Sequence, residues 1–248
     1  MNRSIAEVYS AVNYPGRVAY DYMLGVYDFL EKLLSRYPNL FIEGCSGGGG
    51  RFDAGMLYYT PQIWCSDNTD AVDRLRIQYG TSFFYPISAV GSHVSASPNH
   101  QTGRCTSLHT RGVVAMAGTF GYELATDNLT QEEKEEIKKQ VVQYKKYENL
   151  IQNGIYYRLS NPFQDACAAW MFAAKDKKTA LLNVVLLENH GNMTITYVKL
   201  KGLAPNALYE DTETGKCYCG SALMEGGLPL PAEKKEYPAY QKEFRLVR

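Results

Sequence analysis

The sequence has no surplus of either charge and no long apolar run. Its 26 Lys and Arg residues balance 26 Asp and Glu residues, so the formal net charge at pH 7 is zero. A chain without excess positive charge lacks the electrostatic attraction that draws proteins to nucleic acids and anionic membranes. No apolar run approaches the roughly 18 residues that a transmembrane helix needs. We therefore expect neither a nucleic-acid partner nor a membrane partner.

The sequence also lacks a secretory leader pattern and a disulfide or zinc framework. The segment before residue 8 has no apolar core of the kind that signal peptides carry. Cys217 and Cys219 are the one close cysteine pair, and we expect them to point to opposite faces of a strand, out of reach of one zinc ion. Reduced thiols, no bound metal, no other cofactor and a cytoplasmic location are the predictions. The six cysteines lie at positions 45, 65, 105, 167, 217 and 219.

Short apolar segments alternate with helical patterns over the first part of the chain. Apolar residues recur with a helical period over residues 18–36, and Pro38 follows. Thr69 or Asp70 is placed to cap a second helix, and Thr106 or Ser107 a third that runs to residue 116. Thr130 and Glu133 form a capping-box pattern for a long helix that ends near residue 154. Strands are predicted between these helices at residues 40–43, 62–65 and 119–124, and the segments 83–85 and 91–95 bracket one more strand position.

From residue 155 onward the pattern changes to strands separated by turns. The strands are predicted at residues 168–173, 180–187, 193–200, 207–210, 216–218 and 240–247. An alternation of strands and helices is typical of a parallel sheet or barrel, and a complete (β/α)₈ barrel takes about 250 residues. The predicted class is therefore α/β. The C-terminal half of a (β/α)₈ TIM barrel occupies residues 1–154, and a small antiparallel β domain follows at 155–248.

Two polar clusters follow two of the predicted barrel strands. The first runs from Cys45 to Asp53 and contains four consecutive glycines, and the second runs from residue 64 to residue 71 around Asp67. Active-site loops of α/β barrels follow the strands in this way, so the clusters suggest chemistry on a polyhydroxylated ligand. From the residues alone, Asp67 can be a helix N-cap or a catalytic carboxyl group, and a pair of Asp67 with Asp53 is open as well.

Both clusters resemble signature stretches of bacterial α-galactosidases of glycoside hydrolase family 36. Residues 77–82, 91–95, 98–101 and 118–124 resemble the same family in the same order. The resemblance covers nearly all of residues 1–175 and continues more weakly through the tail. It implies hydrolysis of terminal α-galactosyl groups from oligosaccharides such as melibiose and raffinose, with retention of configuration and without a metal or cofactor.

The resemblance also assigns roles to individual residues. It implies that Asp67 is the acid/base catalyst, in a partly apolar setting beside Trp64 that would raise its pKa. The sugar-binding residues that it implies are Asn2, Cys45, Gly47 and Gly48. It favours contacts within the glycine loop, rather than with sugar, for Arg51 and Asp53. Asp70 and Asp73 are expected in the first turn of a helix. His93 and His100 are expected to stabilise loops rather than to bind a metal.

The family places its nucleophilic aspartate directly before a Met-Asn-Arg sequence, and this chain begins with that sequence at Met1. We therefore expect the nucleophile, the first four barrel strands and an N-terminal β-sandwich to be absent from this chain, which would be inactive alone. The expected partners are an α-galactoside oligosaccharide and either the missing N-terminal half or further copies of the chain. Two alternatives are a non-catalytic sugar-binding or assembly subunit that completes its barrel with another chain, and a decayed gene product.

Overall fold

A computed structural model describes residues 14–45, 47–50, 52–188, 195–231 and 233–247 of the chain. The chain divides into two compact units. The first contains the described residues up to Asp67 together with Ala89–Gly91, and the second contains Asn68–Ser88 and the described residues from Ser92 onward. Within the described ranges, no helix has the length and apolar character that a membrane crossing requires.

Four of the five described α-helices begin where a short polar side chain accepts a hydrogen bond from the first turn, and α1, which follows Arg17, does not. Asp53, Asp70, Ser107 and Thr130 each accept a backbone N–H in this way, and Thr130 forms the predicted capping box with Glu133. The described α-helices are Val18–Arg36 (α1), Ala54–Tyr59 (α2), Ala71–Thr81 (α3), Leu108–Ala115 (α4) and Gln131–Asn153 (α5).

Short strands lie between these helices. Strands β1 (Glu43–Gly44) and β2 (Gln62–Ile63) pair in parallel, and Val90 adds a parallel bridge to Ile63. Strand β3 (Gly91–Ser95) neighbours β4 (Thr119–Glu123). Parallel pairing combined with alternating strands and helices is the organisation of a (β/α) barrel segment, in agreement with the predicted class.

An antiparallel β domain follows α5. Its main sheet has six strands in the order β10-β9-β12-β7-β6-β5, and β8 pairs with β11 in a separate ladder. One face of the sheet covers a core that includes the fully buried Met171, Leu182, Tyr209 and Phe244. The strands are Ile155–Arg158 (β5), Cys167–Ala173 (β6), Thr179–Leu186 (β7), Thr196–Val198 (β8), Leu208–Asp211 (β9), Cys217–Cys219 (β10), Leu228–Leu230 (β11) and Ala239–Leu246 (β12).

Several element predictions need correction. The strand predicted at residues 40–43 is the two-residue β1, and the exposed Leu40 and Phe41 precede it. Residues 83–85 form a turn, because their N–H groups bond back to the carbonyl oxygens of Gly80 and Thr81 at the end of α3. The region from residue 155 onward does not consist of strands and turns alone, since Ala222–Gly226 is a π-helical turn. Helix α2 and strands β5 and β11 were not predicted. The domain boundary between residues 154 and 155 stays a prediction.

Candidate functional site

In the first unit, the pairing of β1 with β2 brings the ends of the two polar clusters together. Glu43 pairs with Gln62 and Gly44 with Ile63, and the Trp64 N–H donates to the Gly44 carbonyl oxygen at 2.7 Å. Because parallel strands run in the same direction about 4.8 Å apart, the residues that follow them emerge at the same edge. Cys45 follows β1 at that edge, and the segment that leads to Asp67 follows β2.

The glycine loop after β1 adopts a backbone conformation that other residues disfavour. Gly47, Gly48 and Gly49 have φ angles of 65°, 74° and 83°. This left-handed region costs a residue with a Cβ atom about 1–2 kcal/mol. A run of glycines is therefore the sequence that this turn requires.

The same loop lies directly against the segment that follows β2. A Cβ atom built on Gly48 would be 2.9 Å from the Asp67 backbone nitrogen and 3.5 Å from the Asp67 carboxyl carbon. One built on Gly49 would be 2.9 Å from the Cys65 carbonyl oxygen. The glycine loop and Asp67 therefore form one local structure within the first unit.

Asp53, at the end of the first cluster, has a structural role. Its Oδ1 accepts the Met56 N–H at 2.8 Å as the N-cap of α2, and it lies 3.4 Å from the Tyr27 hydroxyl. A carboxylate oxygen that caps a helix is poorly placed to attack a substrate, so the pairing of Asp53 with Asp67 as two catalytic groups is disfavoured. Arg51 and Asn2 lie outside the described residues.

Asp67 is not the cap of the helix that follows it. Asp70 caps α3, because its Oδ1 accepts the N–H groups of Val72 and Asp73 at 3.0 and 2.9 Å. The helix-cap interpretation of Asp67 is therefore wrong. The side chain of Asp67 is exposed, whereas Trp64 and Cys65 are half-buried and Cys45 is exposed. The described residues thus do not enclose Asp67 in the apolar setting that the resemblance implied.

In the second unit, the residues directly after Asp67 are held by buried polar contacts. The buried Asp70 carboxylate forms an ion pair with Arg104 and accepts the Thr102 hydroxyl at 2.8 Å. Asn68 donates to Asp73 Oδ2 at 2.8 Å, and Arg104 also contacts Asp73 at 3.2 Å. This network fixes the backbone of residues 68–73 within the second unit.

A second set of contacts anchors Thr69. Its carbonyl oxygen accepts the Ser95 hydroxyl at 2.8 Å, and its hydroxyl accepts the Asn99 side-chain N–H at 3.1 Å. Its backbone N–H donates to Gln101 Oε1 at 3.2 Å. The sequence prediction missed these supports. The sequence feature that indicated these contacts was the high proportion of short polar residues at positions 68–70 and 98–104.

The histidines and cysteines give no metal site among the described residues. His93 lies in strand β3 with Nδ1 3.8 Å from Glu123, so it braces a strand pair rather than a loop. His100 is exposed, and its neighbours Asn99 and Gln101 make the bracing contacts. Cys217 and Cys219 are two residues apart in β10, so alternation puts them on the same face of the strand, and the expectation of opposite faces was wrong.

The arrangement in the first unit places a carboxylate, a thiol and a glycine backbone at one edge of a strand pair. Exposed glycine N–H groups can approach a ligand without interference from side chains. A carboxylate beside them can donate or accept a proton. This combination can bind hydroxyl groups of a ligand and catalyse proton transfer to an oxygen atom.

Family models and known sequences of glycoside hydrolases match this chain. The family model for melibiase matches residues 1–154, and the model for the glycosyl hydrolase family 36 C-terminal domain matches residues 167–244. The chain is similar to the bifunctional α-galactosidase/sucrose kinase AgaSK of Mediterraneibacter gnavus, with 62% identity over 248 residues. That match covers the whole of this chain and 26% of AgaSK.

Solved structures of α-galactosidases are also similar to this chain. The galactosidase domain of AgaSK superposes with a TM-score of 0.92 and covers 94% of this chain and 32% of that structure. The α-galactosidase AgaA of Geobacillus stearothermophilus, in complex with raffinose, has a TM-score of 0.91 at 49% identity and covers 93% of this chain and 32% of that structure. These matches confirm the predicted fold class. The chain spans only about a quarter to a third of the proteins that it matches.

Proposed function

Because this chain belongs to the melibiase family, we propose that it supplies the acid/base catalyst and part of the sugar site of a retaining α-galactosidase. The substrates that we propose are oligosaccharides with terminal α-galactosyl groups, such as melibiose and raffinose. The complex of AgaA with raffinose supports this substrate class. The cytoplasm is the proposed location, supported by cysteines without a disulfide-framework spacing.

The approach of Gly48 to Asp67 is the observation that carries the proposal. The loop leaves too little room for a Cβ atom beside the Asp67 backbone nitrogen, at 2.9 Å. A sugar bound to the loop would therefore lie within reach of the Asp67 carboxyl group. We assign the sugar contacts to Cys45, Gly47 and Gly48, and we keep Asn2 as a further proposed contact although it lies outside the described residues.

Asp67 would act twice in the proposed reaction. In the first step it gives its proton to the glycosidic oxygen while the bond from that oxygen to the anomeric carbon breaks and a second carboxylate bonds to the carbon. In the next step the Asp67 carboxylate takes a proton from water, which attacks the carbon and displaces the second carboxylate. The net result is hydrolysis with retention, and Asp67 ends in its starting protonation state.

The second carboxylate must lie about 5–5.5 Å from that of Asp67 in a retaining enzyme. The resemblance places the nucleophile directly before the Met-Asn-Arg sequence, and Asp53 is occupied as a helix cap. We therefore propose that the nucleophile comes from a polypeptide segment beyond the described residues. Exposed apolar side chains in the first unit support a partner segment there, since exposed apolar patches mark interaction surfaces. They include Tyr20, Leu24, Phe29, Phe41 and Tyr58, each at least 48% exposed. The proposed partner is the rest of the barrel, on a longer form of this chain or on a second polypeptide.

The experiment is complementation followed by a comparison of leaving groups. The chain is produced together with the N-terminal part of a full-length relative, and hydrolysis of raffinose and first-turnover release of nitrophenolate from a nitrophenyl α-galactoside are measured. Nitrophenolate leaves without a proton, whereas a sugar alcohol needs one. Asp67→Asn should therefore slow raffinose hydrolysis by about 100- to 10,000-fold, the contribution of general acid–base catalysis, and slow bond cleavage in the nitrophenyl substrate much less.

Asp28→Asn is the matched control, because Asp28 is exposed on α1 and pairs only with Lys32 in the described contacts. It should leave both rates unchanged. Equal losses of bond cleavage on both substrates after Asp67→Asn would contradict the acid/base assignment. Sugar binding without restored hydrolysis would favour the alternative of a non-catalytic binding or assembly subunit.

A further inference from the structure

The second unit contains a cleft whose lining includes neither Asp67 nor a residue of the glycine loop. It has a volume of about 910 Å³ and lies between the start of α4, the turn that joins β9 to β10, and the segments around β11 and β12. We call it the α4–β12 cleft, and its lining includes Thr110, Glu213, Lys216, Tyr218, Pro231 and Tyr240. Ligand sites in proteins have volumes of about 300–1,000 Å³, so the cleft can accept an oligosaccharide.

Hydrogen bonds between its own walls hold the cleft in shape. The Tyr240 hydroxyl donates to the Pro231 carbonyl oxygen at 2.6 Å, and the Thr110 hydroxyl donates to the Tyr237 carbonyl oxygen at 2.8 Å. Lys242 bridges Asp211 and Glu213 at 3.1 and 2.7 Å. A site that is formed before its ligand arrives loses less conformational entropy on binding.

The charges around the cleft nearly cancel. Its lining has four carboxylates and three ammonium groups, together with His109. A strongly charged ligand would meet both signs at once, so the charge pattern favours a neutral ligand. In the described part of the chain, the Lys216 ammonium and the Glu236 carboxylate make no hydrogen bond or ion pair, which leaves one donor and one acceptor open to a ligand.

Apolar rings and side chains lie among these polar groups. Sugars present C–H faces as well as hydroxyl groups, and an aromatic ring with a polar tip suits both. Hydroxyl groups also donate and accept, so they can use the ammonium and the carboxylate together. The apolar lining residues include Tyr218, Leu228, Pro229, Pro231 and Pro238.

We propose that the α4–β12 cleft is a second, non-catalytic binding site for a neutral oligosaccharide. Lys216 and Glu236 supply hydrogen bonds to its hydroxyl groups, and the Tyr218 and proline rings contact its C–H faces. The ligand class rests on the proposed function, because it is the class of the proposed substrate. The site itself rests on the cleft, its charge balance and its two unpaired polar groups.

Hydrogen exchange of the 248-residue chain with raffinose or stachyose present tests the proposal. We expect slower exchange in the segments 211–218 and 233–242 at saturating sugar. Gly48→Val is the background for this measurement, since it obstructs the glycine loop and leaves the cleft intact. Protection that persists in this background belongs to the cleft. Failure of hydrolysis in the complementation experiment would not affect this result.

Lys216→Met and Glu236→Met should each weaken the binding of raffinose by about tenfold, the effect of losing a hydrogen bond to a charged group. Both side chains are exposed, so the fold should persist, and Trp170 fluorescence verifies it. Lys178→Met is the matched control on an exposed lysine outside the lining, and it should change nothing. Absence of sugar protection, protection by a charged peptide or phosphate instead, or an equal loss in the control would overturn the proposal.

Discussion

Replacing Gly48 with alanine tests whether the glycine loop positions Asp67. The substitution places a Cβ atom 2.9 Å from the Asp67 backbone nitrogen and 3.3 Å from the Ser66 Cα atom, on a residue whose φ is +74°. Both neighbours are backbone atoms, which cannot rotate away as a flexible side chain can. Either the loop or the Asp67 segment must therefore move.

The expected magnitudes follow from these distances. The left-handed φ costs alanine about 1–2 kcal/mol of folding free energy. An ordinary contact of about 3.5 Å requires the two segments to separate by about 0.5 Å or more. Displacements approaching 1 Å in a catalytic arrangement can lower a rate by about 100-fold. Gly48→Ala should thus lose both stability in the first unit and hydrolysis in the complemented enzyme.

Gly103→Ala separates the two effects. Gly103 has a φ of +70°, but a Cβ atom there meets nothing within 4 Å. The control should lose similar stability with no loss of hydrolysis. Urea unfolding followed by fluorescence resolves the units, because Trp64 lies in the first and Trp170 in the second. If Gly48→Ala retained full hydrolysis, or if both variants lost it equally, the close approach would not position Asp67.

Three further substitutions test the packing and electrostatics of the two units. Thr130→Ala removes half of the capping box and should destabilise the second unit by about 0.5–2 kcal/mol in urea unfolding. Gly25→Ala, inside α1 where a Cβ atom meets nothing within 4 Å, should stabilise the first unit by about 0.5–1 kcal/mol in the same assay. Burial raises the pKa of Asp211, but hydrogen bonds from Lys242 and the Glu213 N–H outweigh it and hold that pKa below the ordinary value. Because a lowered pKa stabilises the fold above the unfolded pKa of about 3.9, this contribution is lost as the pH falls through the folded pKa. Lys242→Met should lower the unfolding free energy at pH 7 and reduce its further fall below about pH 4, and an unchanged acid dependence would contradict this account.

The helices could be predicted because their signals are local. The bounds of α1 match the periodic segment at residues 18–36, and α5 begins at the Thr130 capping box. Short barrel strands lack such a signal. Strand β1 has only two residues, and its extent is set by where β2 lies beside it rather than by its own apolar neighbours. Helix α2 is six residues long, too short for a periodic pattern to reveal.

The candidate site likewise has a part that could be predicted from the sequence and a part that could not. Asp67 and the glycine loop could be identified because each is a compact motif of consecutive residues. The polar contacts of residues 68–73 in the second unit could not, because Arg104 reaches Asp70 across 34 positions and Asn99 reaches Thr69 across 30. A single sequence shows that polar residues are present in both segments, but it does not show which of them meet.

The glycine run has a structural explanation that is independent of any ligand. Parallel pairing puts the ends of β1 and β2 side by side, and the loop after β1 must turn back within that spacing. At Gly48 and Gly49 the turn needs a positive φ, and at the same two positions the neighbouring backbone occupies the space of a Cβ atom. Two independent constraints therefore select glycine there, and the steric one vanishes if the loop moves away from the segment from Cys65 to Asp67. The glycines thus allow the loop to lie at a fixed, short distance from the Asp67 carboxylate. A sugar that is bound by the loop and protonated by Asp67 requires such a fixed distance.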